Sequence, residues 1–217
     1  MNNLKSLVLV TICSLFAISA NSQWSYGLKA GYTNAWEDYG EVELPENAEI
    51  DIHGFNIAVL SAYSFSKYFD FTFEPGIVKR GAACVPGWGP VFEGDTKFHL
   101  SYIDLPFFVQ SNIPLYKDQI HMFCKVGTGL SFLTKVVREE DPLDIDEPSE
   151  RIKMNFSSFN RIDCGVYASG GISYSINGYQ IFIESAYYRG FVDAEKANFS
   201  KNNNVNISIG YRYSKSL

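Results

Sequence analysis

The sequence predicts an all-β protein: an eight-stranded antiparallel up-and-down transmembrane β-barrel with short periplasmic turns and long extracellular loops. Three observations carry this. From Gln23 onward the dominant hydropathic period is two, the two faces it defines differ in charge, and short connections alternate with long ones. The 217 residues include 17 Phe, 14 Tyr and 3 Trp, and only 19% are charged. That excludes intrinsic disorder, which goes with few aromatics and high charge. No run of ~18 or more apolar residues occurs, so a helical membrane protein is excluded as well. The net charge of −6 is the wrong sign for a nucleic-acid binder.

The N-terminus reads as an export signal. Lys5 supplies the positive region, Leu7 to Ile18 an uncharged and mostly apolar stretch too short to span a bilayer, and Ala20-Asn21-Ser22 the small residues of a cleavage site. The expected domains are therefore a signal peptide at 1–22 and one barrel domain at 23–217, exported through the Sec pathway to the bacterial outer membrane. Beyond the signal lie Cys84, Cys124 and Cys164, an odd number in an exported chain, so at least one thiol is expected free or paired with another molecule. No CxxC or His/Cys cluster accompanies them, and no metal or cofactor is expected.

The strands follow in order. Strand one, about 24–34, sets Trp24, Tyr26, Leu28, Ala30 and Tyr32 against Ser25, Gly27, Lys29 and Gly31. Strand two, near 52–65, sets Phe55, Ile57, Val59 and Tyr63 against Gly54, Asn56, Ala58 and Ala62. Strand three, near 68–80, sets Phe69, Phe71, Phe73 and Ile77 against Asp70, Thr72 and Glu74. In strand four, near 97–111, Ile103, Leu105, Phe107 and Val109 oppose Tyr102, Asp104, Phe108 and Gln110. Strand five, 119–134, opposes Met122, Val126, Leu130 and Phe132 to His121, Lys125, Gly129 and Ser131. Strand six, 159–174, opposes Ile162, Val166 and Ile172 to Arg161, Asp163 and Gly171. Strand seven, 179–190, opposes Ile181, Ile183 and Tyr187 to Phe182, Glu184 and Ala186. Strand eight, 203–213, opposes Val205, Ile207, Ile209, Tyr211 and Tyr213 to Asn204, Asn206, Ser208, Gly210 and Arg212. Pro75 and Pro106 each remove a ladder donor, and bulges in strands three and four are expected to accommodate them.

Charge decides which face is outside. One face carries only apolar and aromatic residues at these positions; the other carries Lys29, Asp70, Glu74, Asp104, Lys125, Arg161, Asp163, Glu184 and Arg212. Packing those nine ions into a two-layer soluble core would cost too much desolvation, so they line a polar lumen and the greasy face meets lipid. An eight-stranded barrel is narrow enough for side chains to fill it, so an open pore is not expected by default. Trp24, Tyr26, Tyr63, Phe65, Tyr68, Tyr174, Tyr179, Tyr211 and Tyr213 gather near the short-turn ends, as an interfacial girdle would.

Several segments resemble the PorT-like family of outer-membrane β-barrels found in the Bacteroidota: Trp24-Ser25-Tyr26-Gly27-Leu28-Lys29-Ala30-Gly31, Tyr102-Ile103-Asp104-Leu105-Pro106-Phe107-Phe108, Val126-Gly127-Thr128-Gly129 and Ile207-Ser208-Ile209-Gly210-Tyr211-Arg212-Tyr213. The resemblance spans the chain after the signal and implies an eight-stranded outer-membrane barrel. It implies no settled activity, although one named member is linked to protein secretion. Ser214-Lys215-Ser216-Leu217 departs from the aromatic ending usual in such barrels.

Candidate chemistry is sparse. Fourteen of the 24 acids lie in two segments on the exterior side, seven between Glu37 and Asp51 and seven between Glu139 and Glu150. Glu139, Glu140, Asp141, Asp144, Asp146 and Glu147 form a candidate cation-binding loop, weighed against simple solvation of a loop kept out of lipid. His99 and Ser101 share one face of strand four, the spacing a His-activated serine of a lipid A deacylase would need, weighed against a polar pair near a loop. Trp36, Tyr39, Trp88 and Phe92 are loop aromatics where a sugar could stack. The reading is a non-enzymatic outer-membrane barrel, a structural or accessory subunit of an assembly, secretion or transport complex. Its partners would be outer-membrane lipids or lipopolysaccharide and other outer-membrane proteins, and no nucleic acid. The alternatives are a small-solute channel and a lipid A-modifying enzyme using His99 and Ser101.

Overall fold

The computed structural model describes residues 23–38, 51–84, 95–117, 119–141, 150–196 and 200–214. Residues 1–22, where the export signal is expected, and much of the long loops lie outside these residues. Among the described residues ten strands occur in chain order: β1 (Gln23–Asp38), β2 (Ile52–Ser64), β3 (Phe69–Phe73), β4 (Gly76–Cys84), β5 (Asp95–Tyr116), β6 (Ile120–Asp141), β7 (Glu150–Lys153), β8 (Ile162–Ile176), β9 (Tyr179–Asp193) and β10 (Lys201–Ser214). All pairings are antiparallel, and β1 bonds both β2 and β10. Because β2 and β5 each pair with both β3 and β4, those two short strands make one stave, and the sheet closes as a ring of eight staves.

Two features take the strand number from the expected eight to ten. Strand three is cut at Glu74-Pro75, and β7 is a short arm that pairs only with the far end of β6, outside the ring. The two prolines share one gap. Phe73 pairs with Phe107 and Gly76 with Asp104, so Glu74 and Pro75 face Leu105 and Pro106 across the ladder. The proline carbonyls still work: Glu74 N donates to Pro106 O at 3.1 Å and Val59 N to Pro75 O at 2.9 Å. The bulges expected at the prolines are replaced by this interruption. A register shift falls instead between Ser101 and Tyr102, where Thr134 of β6 is the extra residue and its hydroxyl donates to Ser101 O at 2.9 Å.

The short turns lie at the end where β1 starts and β10 finishes. The tightest joins β8 to β9 through Asn177 (φ 50°) and Gly178 (φ 80°), the two left-handed residues a two-residue hairpin requires. β5 and β6 reach 22 residues each; β6 runs past its expected boundary at the opposite end, to Asp141, while β5 gains most of its length at the short-turn end, to Tyr116.

The period of two has the physical outcome inferred from charge. Outward side chains are apolar and exposed, with Val126 62%, Ile183 61% and Ile209 61% accessible. Inward side chains fill the bore. Leu60, Phe123 and Phe182 pack in the short-turn half, and Phe108, Tyr167 and Tyr188 in the middle. Val78, Phe98, Leu100, Tyr102, Leu133, Val136 and Phe159 close the opposite mouth, with Met154 and Phe156 laid against them. Among the described residues no helix is long and apolar enough to cross a membrane.

Candidate functional site

Inside the bore, alternation along separate strands brings the charged residues together. Lys29 from β1 and Lys125 from β6 each face Glu74, from the β3–β4 link, and Glu184 from β9. The four contacts are Lys29–Glu74 at 2.6 Å, Lys29–Glu184 at 3.2 Å, Lys125–Glu74 at 2.6 Å and Lys125–Glu184 at 2.7 Å. This is a closed ring of two cations and two anions, with both glutamates only 1% exposed. Each carboxylate is neutralised from two sides, which is the geometry that offsets the desolvation of buried ions. Lys125 Nζ also lies 5.2–5.7 Å from the ring centroids of Phe108, Phe123 and Phe182.

Closer to the long-loop end, Arg80 of β4 is fully buried and ties six staves together. Its Nε donates to Asn204 at 2.8 Å, Nη1 to Ser131 at 2.9 Å, and Nη2 to Asp104 at 2.8 Å and to the Tyr167 hydroxyl at 3.1 Å. The guanidinium plane stacks 3.8 Å from the Tyr188 ring. Tyr167 and Ser131 donate in turn to Asp104. Above this, Asn202 donates to Asp163 at 3.0 Å and to the Tyr102 hydroxyl at 3.2 Å. Toward the short turns, Arg212 pairs with Asp70 at 3.0 Å and Asn112 donates to the same carboxylate at 3.1 Å. A cavity of about 20 Å³ remains beside Lys125, Glu74 and Arg212, room for about one water molecule.

The structure thus places Lys29, Asp70, Glu74, Asp104, Lys125, Asp163, Glu184 and Arg212 in the lumen. Arg161 is a correction. It sits on a bend one residue before β8, is exposed, and its guanidinium lies 5.5 Å from the Phe156 ring centroid while its carbonyl accepts from Leu133 N at 2.8 Å. The lumen cation that sequence reasoning missed is Arg80. The signal was present: the alternation that points Asp70, Thr72 and Glu74 inward continues in phase through Gly76 and Val78 to Arg80, across the Pro75 break.

The acidic exterior segment does not gather as a cation site where it is described. Glu139 accepts from Arg151 Nε and Nη2 at 3.0 and 2.8 Å and lies 2.7 Å from His99 Nε2, while Glu140 pairs with Arg138 at 2.6 Å. Burial raises the Glu139 carboxyl, but hydrogen bonds from Arg151 and His99 outweigh it and hold the group below the usual glutamate range. Asp144, Asp146 and Glu147 lie outside the described residues, as do Tyr39, Trp88 and Phe92; Asp141 ends β6. Among the described residues, no group of three or more His, Cys, Asp or Glu is placed to hold a metal.

His99 and Ser101 lie on the outward face of β5, above the apolar wall. His99 is engaged with Glu139, and among the described residues no hydrogen bond joins it to Ser101. Trp36 packs 6.3 Å from Tyr187. At the short-turn end the aromatics meet tilted or stacked, with Trp24 and Tyr179 each 5.1 Å from Tyr63 and Tyr213 respectively and tilted against them. Cys124 and Cys164 are free and belong to the outward rows of β6 and β8.

The sequence matches the family model described as "Outer membrane protein beta-barrel domain" over residues 16–195. No curated protein matches the chain. Among solved structures it is similar to Neisserial surface protein A, with 12% identity, 88% of this chain and 96% of that chain covered, and a TM-score of 0.53. It is also similar to Ail, the attachment invasion locus protein of Yersinia pestis, with 14% identity, 88% and 99% coverage and a TM-score of 0.45. At such identities the Neisserial barrel shows a common fold and nothing about activity. The closed ring, the apolar outer wall and the matched domain agree: the chain belongs to the outer membrane protein beta-barrel domain family and resides in the bacterial outer membrane.

Proposed function

We propose that the protein is a non-enzymatic structural or accessory subunit of an outer-membrane assembly, working through its outer wall and exterior strands. The observation that carries this reading is the lumen. Arg80 and the Lys29–Glu74–Lys125–Glu184 ring cross-link staves on all sides of the bore, and aromatic rings fill the space between them. A bore held shut in this way leaves the exterior as the working surface. The PorT-like resemblance of the strand motifs points in the same direction, toward a secretion or transport complex. A catalytic reading draws less support, because the His99 imidazole is already committed to Glu139.

Gentle detergent extraction followed by affinity purification of the full chain tests the proposal. Co-purification of a stoichiometric outer-membrane protein is the expected result, and a stable, partnerless monomer overturns the subunit role. Planar-bilayer recordings address the channel alternative. Conductance above background that rises on substitution of Lys125 would favour it over the scaffold reading.

A further inference from the structure

Three cross-strand rows lie on the outward face of β4, β5, β6 and β7, directly above the lipid-facing wall. Lys79, Ser101 and Lys135 are paired across β4, β5 and β6; two residues farther out come Gly81, His99, Val137 and Lys153; then Lys97, Glu139 and Arg151. Cross-strand partners share a face, so these residues form one surface. The bulge at Thr134 is what brings Lys135 into it, by leaving Thr134 and Lys135 both outside. The acid of these rows is Glu139, already occupied by Arg151 and His99. Lys135 and Lys153 are exposed, Lys79 Nζ stands 4.8 Å over the Phe55 ring, and among the described residues none of the three has a carboxylate partner. The next row toward the membrane is apolar, with Ile77, Ile103 and Phe132 paired across the same strands and exposed.

We infer that this surface is a binding site for the phosphorylated glycolipid headgroup of the outer leaflet, with Lys79, Lys135 and Lys153 taking the phosphate and Ile77, Ile103 and Phe132 carrying the acyl chains. Two arguments fix the occupant. The patch is cationic on an otherwise acidic protein, which demands an anion. It is also continuous with the wall that meets lipid, so the anion must be one held at headgroup depth. Neighbouring strands are ~4.8 Å apart, which sets Lys79 and Lys135 about 10 Å from each other with the Ser101 hydroxyl between them, a cradle for one phosphate group. Arg151 and His99, held by Glu139, stiffen the rim of the cradle and keep β7 beside it. The inference rests on the outer-membrane location and not on the accessory-subunit reading.

The test uses the full barrel purified in detergent, titrated with bis-phosphorylated lipid A and read by native mass spectrometry, with heat-modifiable gel mobility confirming that each variant is folded. Replacing the three lysines together (K79Q/K135Q/K153Q) is expected to weaken binding about tenfold, as the loss of three exposed charge contacts would. The arginine set K79R/K135R/K153R should bind as the native chain does, and so should Lys117→Gln at the opposite end. Should the triple glutamine variant fail to fold, Lys135→Gln alone, on an exposed side chain, is expected to cost about twofold. Unchanged binding by the glutamine variants, loss in the arginine set, or equal binding of lipid A stripped of its phosphates would each overturn the assignment.

Discussion

Two clusters in this barrel pair glutamates with basic side chains in different media. In the bore, two lysines and two glutamates alternate around a ring, with the glutamates 1% exposed and Lys125 4%. On the exterior arm Glu139 joins Arg151 and His99, but Arg151 is 68% exposed. The contact distances are nearly equal, so geometry does not separate them. Solvent does. Water and salt can replace Arg151 at little cost, whereas the bore beside Glu74 has room for about one water molecule to take the place of a lost ammonium. The bore cluster therefore determines whether the ring holds together, and the exterior cluster only how firmly β7 lies against β6.

The comparison can be broken or sharpened by substitution, starting with the largest effect. Arg80→Ala strands Asp104 in the bore and removes four hydrogen bonds and a ring stack at once, so it should cost about 3–5 kcal/mol in reversible urea unfolding from detergent micelles. Lys125→Met should cost about 3 kcal/mol in the same assay, because both carboxylates lose one of their two cations. Added salt should leave that loss unchanged. An outcome below about 1 kcal/mol for either variant would mean that the bore is wet enough to hydrate its charges. Gly210→Val tests the aromatic fill. A Cβ at Gly210 would lie 2.1 Å from the Phe182 ring, so about 1–3 kcal/mol of overpacking is expected.

The exterior variants are expected to be mild. Arg151→Ala should cost under about 1 kcal/mol and the cost should vanish in high salt. Its visible effect is faster amide exchange in Glu150–Lys153, with the ring untouched. The pH dependence follows from Glu139, whose carboxyl is held below its ordinary range. A depressed carboxyl stabilises fully above its unfolded value, and that contribution is lost as pH falls through the folded value. Protection of the β6–β7 arm should therefore persist through the normal glutamate titration range and collapse only under stronger acid. A midpoint at or above the ordinary glutamate value would show that the Arg151 contact does not form in solution.

The stave order and the two faces were legible because strand alternation is a local property, visible in residues such as Ile181-Phe182-Ile183-Glu184 without any knowledge of partners. Closure by antiparallel neighbours followed from loop lengths. Three things were not legible in that way. Arg161 shares the phase of Asp163, yet it stands just beyond the strand, where the wall no longer defines an inside; a strand's end is set by its partners and not by its own pattern. Arg80 was in phase, but the Pro75 break masked the continuity of the stave. The exterior cationic surface was invisible because Lys79, Lys135 and Lys153 lie 56 and 18 residues apart in sequence and meet only through register and a bulge.

Closing the ring gives each stave of the wall a bonded neighbour on both sides, but β7 stands outside it. Among the described strands, β7 alone is bonded on one side only, along β6 at Val137–Glu140. Its free side is an invitation for any passing extended segment to add itself to the sheet. The residues there are Glu150, Arg151, Ile152 and Lys153, three of them charged and all exposed, over a length of four residues. A strand this short and this charged offers a newcomer few hydrogen bonds and repels most apolar sequences. The cell exterior thus meets an edge that is open to water yet poor at recruiting a further strand.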